Sequence, residues 1–403
     1  MNFPMAVPIV ALCLLISGCG GGGSDGSSSP GGIDTQPLNA EPVTTGNLNA
    51  GLTGRLISTV DFRPYEFDLA TGAARPLPVE TAAEFLDARG EGQFVMERNF
   101  FAANDIGSVG SVETNYRCVD FGSCLSVYDE QYNVLNRISL SDRDLFVPAK
   151  LSRSGRYLLV SEYDAFSSYN SIYMVDVLSS ATVDSYTPNH DISTRNLAQT
   201  GPSVIEWGAD DRAIFTVESD ITPTVYITEP GSMVVETRLT LPSYWQGKIS
   251  KMDMHPDGNQ LLLEYRPGNL DASISAVLIL NLSTRGIRIP VVDPADADRI
   301  PLGDNIVSLF LHPMWSPDGE HILFRNGFDS LFLTPVQGVV VNQSMIVVPA
   351  DSNRLQIGQP GEPLLPESAV MLQFEDVIFD DGRLGSEWRG DRVRDGGYVN
   401  WVR

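Results

Sequence analysis

The chain has 403 residues, 42% of them apolar, which is ordinary for a globular protein with a sizeable core. Its formal net charge of −24 argues against nucleic acid or an anionic membrane surface as the partner, because both are held by positive patches. Only four cysteines occur, and two of them, Cys13 and Cys19, lie at the very start.

Residues 1–18 read as an export signal. The stretch 6–16 is almost wholly apolar but too short to span a bilayer. It ends in Leu15-Ile16-Ser17-Gly18-Cys19, while 1–5 contains no Lys or Arg. An aliphatic residue, two small residues and a Cys in this place resemble the lipobox of bacterial lipoproteins. The resemblance implies cleavage before Cys19 and a diacylglycerol on its thiol. Gly20, rather than Asp, follows the Cys; by the family's sorting rule this implies retention at the outer membrane of a Gram-negative cell, facing the periplasm. Residues 19–50 then form a tether, Gly/Ser-rich over 20–32 and poor in apolar residues throughout. A flexible chain of that length reaches roughly 30 Å. Gly22-Gly23-Ser24-Asp25-Gly26 spells a nucleophile elbow, but an elbow needs a strand before it and a helix after it, and a glycine tract offers neither.

The remainder, 51–403, carries a repeated signal. Trp315-Ser316-Pro317-Asp318-Gly319 leads into the apolar run 322–324, and Met254-His255-Pro256-Asp257-Gly258 leads into 261–263. Leu151-Ser152-Arg153-Ser154-Gly155 and Trp207-Gly208-Ala209-Asp210-Asp211 lead into similar runs, and Gly90-Glu91-Gly92 is a weaker copy. Pro pre-sets φ for the second turn position, Asp suits the third and Gly takes φ > 0 at the fourth; the apolar run suits a strand buried between layers. A second pattern recurs downstream of each: an apolar strand ending in Asp or Asn and a Ser/Thr/Gly turn, as at Asp68, Asp176 and Asn281. The unit thus reads as a turn-led inner strand, a second strand, an apolar strand ending in Asp or Asn, a turn and a last strand. Four short antiparallel strands per unit make a propeller blade. The turn positions 92, 155, 211, 258 and 319 stand about 57 residues apart on average, against about 40–45 for a minimal blade, so the blades carry insertions. The expected fold is all-β, a β-propeller of six blades, or seven, each a four-stranded antiparallel sheet. The chain opens on an outer-type strand (65–69), so C-terminal strands at 370–374, 377–379 or 398–402 are candidates to complete the first blade and remove two sheet edges.

The Trp-Ser-Pro-Asp-Gly turn with its apolar strand, followed by Asp-x-x-Thr-Gly, resembles the TolB-type β-propeller repeat over about 54–345. It is strongest at 315–324 and good at 254–263. The repeat occurs in envelope lipoproteins and in the propellers of prolyl-oligopeptidase-like enzymes. An anchor, a tether and a propeller without a complete catalytic constellation point to a non-catalytic protein-interaction or ligand-binding scaffold of the cell envelope, held to the membrane through Cys19, with an envelope protein or a peptidoglycan-associated partner and no nucleic acid. The competing class is a hydrolase or lyase acting on a glycan or peptide in the central funnel, since a fold alone does not fix chemistry. No α/β-hydrolase half follows the repeats, which weighs against a peptidase.

Individual residues add little catalytic signal. The four histidines, His190, His255, His312 and His321, include no H-E-x-x-H and no i,i+4 pair, so zinc hydrolysis has no support. His255 and His321 fall inside the repeat and read as packing residues. No cofactor is expected; calcium is the alternative, at the carboxylates of Asp293-Pro294-Ala295-Asp296-Ala297-Asp298, although this loop lacks the Gly and distal Glu of an EF-hand. Trp207 and Trp315 precede the turns in register and read as packed between blades. Trp245 lies outside that register and is the candidate contact residue for a ligand or partner. Cys118 and Cys124 are close in sequence in an exported chain and read as a local disulfide, whereas zinc would need two further ligands that nothing nearby supplies. The unreduced protein should therefore weigh about two protons less than the reduced one by intact mass; two thiols open to alkylation before reduction would contradict the bridge.

Overall fold

Many described strand pairs are joined by a short polar turn, and these turns set the register. The computed structural model describes residues 44–45, 52–60, 63–71, 73–76, 83–89, 93–98, 124–128, 134–139, 149–164, 169–187, 204–217, 222–268, 275–298, 310–326, 344–357, 366–372 and 400–402. All of them belong to the unit Thr35–Arg403.

Strands β1 (Thr44–Thr45), β2 (Arg55–Val60), β3 (Arg63–Asp68) and β4 (Ala73–Pro76) form the first sheet, in the order β1-β4-β3-β2. The second sheet runs β5 (Ala83–Arg89), β6 (Gln93–Arg98), β7 (Cys124–Tyr128), β8 (Val134–Ser139). The third runs β9 (Ala149–Leu151), β10 (Tyr157–Asp164), β11 (Tyr169–Asp176), β12 (Thr182–Tyr186). The fourth runs β13 (Ile205–Trp207), β14 (Arg212–Thr216), β15 (Thr224–Pro230), β16 (Val235–Thr240). The fifth runs β17 (Gly247–Met254), β18 (Gln260–Pro267), β19 (Ala276–Asn281), β20 (Ile287–Arg288), and β21 (Val291–Val292) follows it. The sixth takes β22 (Phe310–Trp315), β23 (His321–Asn326), β24 (Ser344–Pro349) and, past β25 (Leu355–Gln356), β26 (Val370–Leu372). β21 and β25 pair in parallel and strap the fifth sheet to the sixth. Finally β27 (Asn400–Val402) returns to pair antiparallel with β2.

The leading strands of these sheets touch in sequence, β5 to β9 to β13 to β17 to β22, with β27 between β22 and β5. The fold is therefore a β-propeller of antiparallel sheets. Its first sheet is built from both ends of the repeat region, with β27 as its innermost strand. Of the C-terminal candidates for closing the ring, the one at 398–402 does so, whereas 370–372 completes the sixth sheet. One expectation is corrected. The turn-led strand is not innermost: the turn joins the innermost strand to the second, as from β17 to β18. The physical reason is burial. Leu261 and Leu263 pack with the sheet before theirs, beside Ile214 and Val225, while Leu262 packs with the sheet after, beside Phe310 and Ile322. A run of three apolar residues needs both faces covered, and β18 has a sheet packed on each side of it.

The same sandwiching recurs around the ring. Leu159 and Met174 meet Trp207 and Phe215, and Met314 and Val347 meet Leu56, Phe67 and Trp401. Each fully buried Leu, Val or Phe contributes about 1.5–3 kcal/mol. Trp207 and Trp315 lie between sheets, as their register implied.

The turns obey their chemistry. The N–H of Gly155, Gly258 and Gly319 donates to the carbonyl three residues back, and each glycine has φ between 70° and 79°. Asp211 stands in the equivalent place with φ 55°, a conformation short polar residues tolerate. In the outer turns the side-chain oxygen of Asp68, Asp176 or Asn281 accepts N–H groups two or three residues on, which is why those strands end in Asp or Asn. Turns of neighbouring blades also interlock. The His255 ring packs edge-on to Trp315 at 4.6 Å, and its Nε2 lies 3.2 Å from the Gly319 carbonyl. A Cβ on Gly319 would sit 2.5 Å from that Nε2. Gly319→Ala should therefore cost about 1–3 kcal/mol, from positive φ and the clash together. A lowered urea midpoint is expected; an unchanged midpoint would contradict this packing.

Candidate functional site

On β9, β13 and β17, buried apolar side chains alternate with charged ones. Met252 and Met254 of β17 are buried against the fourth sheet, and the residues between and before them, Asp253 and Lys251, take the other direction. Lys150 of β9 and Glu206 of β13 are placed likewise, each between two buried apolar neighbours in the sequence. Behind these, Glu264 and Arg266 of β18 and Arg325 of β23 complete a charged cluster, and His312 of β22 joins it.

Two irregularities aim this cluster. The register of β17 on β18 shifts between Ile249 and Lys251, leaving Ser250 as a bulge. The register of β22 on β23 shifts between Leu311 and Met314, where His312 takes φ 51° ahead of Pro313. Bulges redirect side chains and backbone donors, and here both point at one carboxylate. Glu264 Oε1 accepts from Ser250 Oγ at 2.6 Å and from Arg266 Nε and Nη2 at 2.9 and 2.7 Å. Glu264 Oε2 accepts the His312 backbone N–H at 2.7 Å. The carboxylate thus ties β17, β18 and β22 together.

Further bonds join neighbouring blades. Lys150 Nζ lies 3.3 Å from Glu206 Oε2, and the indole N–H of Trp207 donates to the Lys150 carbonyl at 2.7 Å. Asp253 Oδ2 accepts the Trp315 backbone N–H at 2.7 Å.

Burial would raise the pKa of Glu264, but His312, the Arg266 guanidinium and the hydrogen bonds from Ser250 and the His312 N–H outweigh it and hold it at about 2. Burial, reinforced by the charge of Lys251, pushes His312 down to about 3, so its ring is neutral at ordinary pH. Burial and then the charge of Lys150 lower Lys251 to about 8, against Asp253 and Glu264, which raise it. Lys150, Lys251, Arg266 and Arg325 face the three carboxylates Glu206, Asp253 and Glu264.

The residues singled out from the sequence fall elsewhere. Trp245 is not a contact residue: it is 2% exposed, packs edge-on to Tyr265 at 4.9 Å and belongs to the core between the fourth and fifth sheets. The turn before β17 folds it inward, with the Tyr265 hydroxyl donating to the Gln246 carbonyl at 2.8 Å. Its neighbour Tyr244 is the exposed aromatic of that turn. Asp293 caps the short 3-10 turn Pro294–Asp296 by accepting the Ala295 N–H, and both Asp293 and Asp296 are buried. Among the described residues no three His, Cys, Asp or Glu side chains are grouped as metal ligands. Cys19, Cys118 and His190 lie outside the described residues, and Cys124 is the first residue of β7.

The charged axis itself escaped the sequence reading. Its signal is charge inside apolar strands: Glu206 between Ile205 and Trp207, Lys251 and Asp253 alternating with methionines, and His312-Pro313 interrupting an apolar strand.

Two pH effects follow, with the same sign. Glu264 sits below its ordinary 4.5, so its stabilisation is complete above about 4.5 and is lost as pH falls toward about 2. His312 sits below its ordinary 6.5, so its share is complete above about 6.5 and is lost as pH falls toward about 3. Stability to urea should drop between pH 7 and 4, and His312→Asn should flatten the upper part of that drop. Glu264→Ala should cost about 3 kcal/mol at pH 7, because four donors lose one acceptor. A midpoint that is the same at pH 7 and pH 4 would contradict this assignment.

No protein-family model and no curated protein matches the sequence. Solved structures of similar fold include TolB from Acinetobacter baumannii, at 13% identity and a TM-score of 0.45, covering 75% of this chain. The match spans less than two thirds of that TolB chain, 65%. A putative 6-phosphogluconolactonase from Bacteroides uniformis matches at 12% identity and a TM-score of 0.46, covering 79% of this chain and 89% of that one. The β-propeller domain of the Trilobed protease from Pyrococcus furiosus, described as having an open velcro topology, matches at 12% identity and a TM-score of 0.40, covering 76% and 81%. The likeness is one of fold alone.

Proposed function

We propose that this chain is a six-bladed, lipid-anchored propeller of the cell envelope that acts as a non-catalytic binding scaffold. Cys19 carries the lipid at the outer membrane, 19–50 is the tether, and the propeller axis faces a periplasmic ligand or an envelope or peptidoglycan-associated partner. The observation that supports binding over catalysis is Glu264. A general acid in a funnel needs a carboxyl whose pKa is raised toward neutrality. Glu264 is instead held at about 2 by His312, the Arg266 guanidinium and the hydrogen bonds from Ser250 and the His312 N–H. Asp253 and Glu206 are also engaged by backbone N–H groups, those of Trp315 and Trp207. Such carboxylates shape a rigid polar surface, and rigidity favours recognition.

One observation favours the alternative, a lyase or hydrolase in the funnel. Lys251, lowered to about 8, is suited to proton transfer near neutral pH.

Crosslinking in intact cells, affinity capture and mass spectrometry separate the two readings. The scaffold reading expects a reproducible set of envelope proteins, weakened in a Cys19→Ala variant. Recovery of the chain alone, together with turnover of a glycan or peptide that Lys251→Met abolishes, would overturn it.

A further inference from the structure

Lysine is rare in this chain. Of its 27 basic residues 24 are arginine, and the three lysines are Lys150, Lys248 and Lys251. Two of the three, Lys150 and Lys251, belong to the axial cluster. Where positive charge alone is needed, arginine supplies it nearly everywhere in the sequence. What lysine adds is an amine that can lose its proton and act as a nucleophile.

Lys251 meets the other conditions for that role. It stands on β17 with part of its surface open, and among the described residues no carboxylate oxygen lies within ion-pair distance of its Nζ. Charges from three sheets act on it: Lys150 of β9, Asp253 of its own strand, Glu264 of β18 and Arg325 of β23. His312 of β22 faces it as well. The fourth sheet separates the third from the fifth, so an amine that feels Lys150 as well as Arg325 lies on the inner side of β17. Burial, and then the neighbouring ammonium of Lys150, favour its uncharged form and bring its pKa to about 8. Desolvation beside another cation is one way a lysine amine is made nucleophilic toward carbonyl compounds. At pH 7 such an amine is roughly one-tenth unprotonated, against less than about a thousandth for an ordinary lysine.

We infer that Lys251 captures a small carbonyl compound, an aldehyde or a 2-oxo acid, at the propeller axis as an imine on Nζ. The step is redox-neutral. The uncharged amine adds through its lone pair to the carbonyl carbon, and one N–H proton passes to the carbonyl oxygen to give a carbinolamine. The second N–H proton leaves with that hydroxyl as water, so a C=N bond replaces the C=O bond. Hydrolysis reverses the sequence and releases the ligand. The aldehyde and the 2-oxo acid share this chemistry, and both are tested below. The inference goes beyond the scaffold reading and does not depend on which envelope partner the chain holds.

The test uses the full chain at pH 7 with glycolaldehyde or pyruvate, and cyanoborohydride to fix any imine as a stable secondary amine. Glycerol and lactate, which carry a hydroxyl in place of the reactive carbonyl, are the controls. Peptide mass spectrometry compares Lys251 with Lys150 and with Lys248, an exposed lysine of the same strand. An amine of lower pKa is also a weaker nucleophile, so the gain is smaller than the ratio of unprotonated fractions. One or both carbonyl compounds should label Lys251 about tenfold faster than Lys248, and the preference should vanish in urea. Glycerol and lactate should leave no label. Whichever compound labels Lys251 names the class of carbonyl. In Lys251→Arg, which keeps the charge and removes the nucleophile, the fast-forming adduct should be lost. No adduct at Lys251, equal labelling of Lys251 and Lys248, a preference for Lys150, or a preference that survives in urea would overturn the inference. The labelling comparison needs no variant, so a Lys251→Arg chain that fails to fold leaves the test intact.

Discussion

Everything in this fold depends on covering both faces of every blade. A four-stranded sheet with apolar residues on both sides is insoluble alone, and a ring in which each sheet is sandwiched by two others answers that need. The consecutive leucines 261–263 are the clearest case, serving two interfaces at once. A ring must also close, and the pairing of β27 with β2 closes it by hydrogen bonds between the two ends of the repeat region. That pairing covers an edge of the first sheet that would otherwise stay open.

The closure also explains how charge survives at the centre. On β9, β13 and β17 the apolar residues are buried between sheets and the charged ones, Lys150, Glu206, Lys251 and Asp253, alternate with them. Those that are buried must satisfy one another. Glu264, Arg266, Ser250 and the His312 backbone do this almost completely. The two bulges and the positive φ of His312 are local departures from regular strand that this arrangement requires.

Much of the fold was legible in the sequence because turn chemistry and strand burial are local. Pro-Asp-Gly at 256–258 and 317–319 fixes a positive φ by residue type, and Asp211 was recognisable as its substitute. The order of strands within a blade was less legible: the turn-led strand sits second from the axis, and sequence alone does not say which side of a turn faces inward. Trp245 shows the same limit, since an aromatic outside the repeat register can still be folded into an interface by a neighbour such as Tyr265. The axial cluster was hidden because its members come from 150, 206, 251–253, 264–266, 312 and 325, and only the ring brings these strands together. Single charges in apolar strands were its trace.

The central claim is that the closed ring shields a charged axis on which Lys251, among the described residues, has no carboxylate within ion-pair distance. The most direct measurement is the pKa of Lys251 itself, from the pH titration of a carbon-13 dimethyl-lysine signal assigned with Lys251→Met. A value of about 8 is the expected result. A value near the ordinary lysine pKa of about 10.4 would mean that the axis is open to water and would contradict the account.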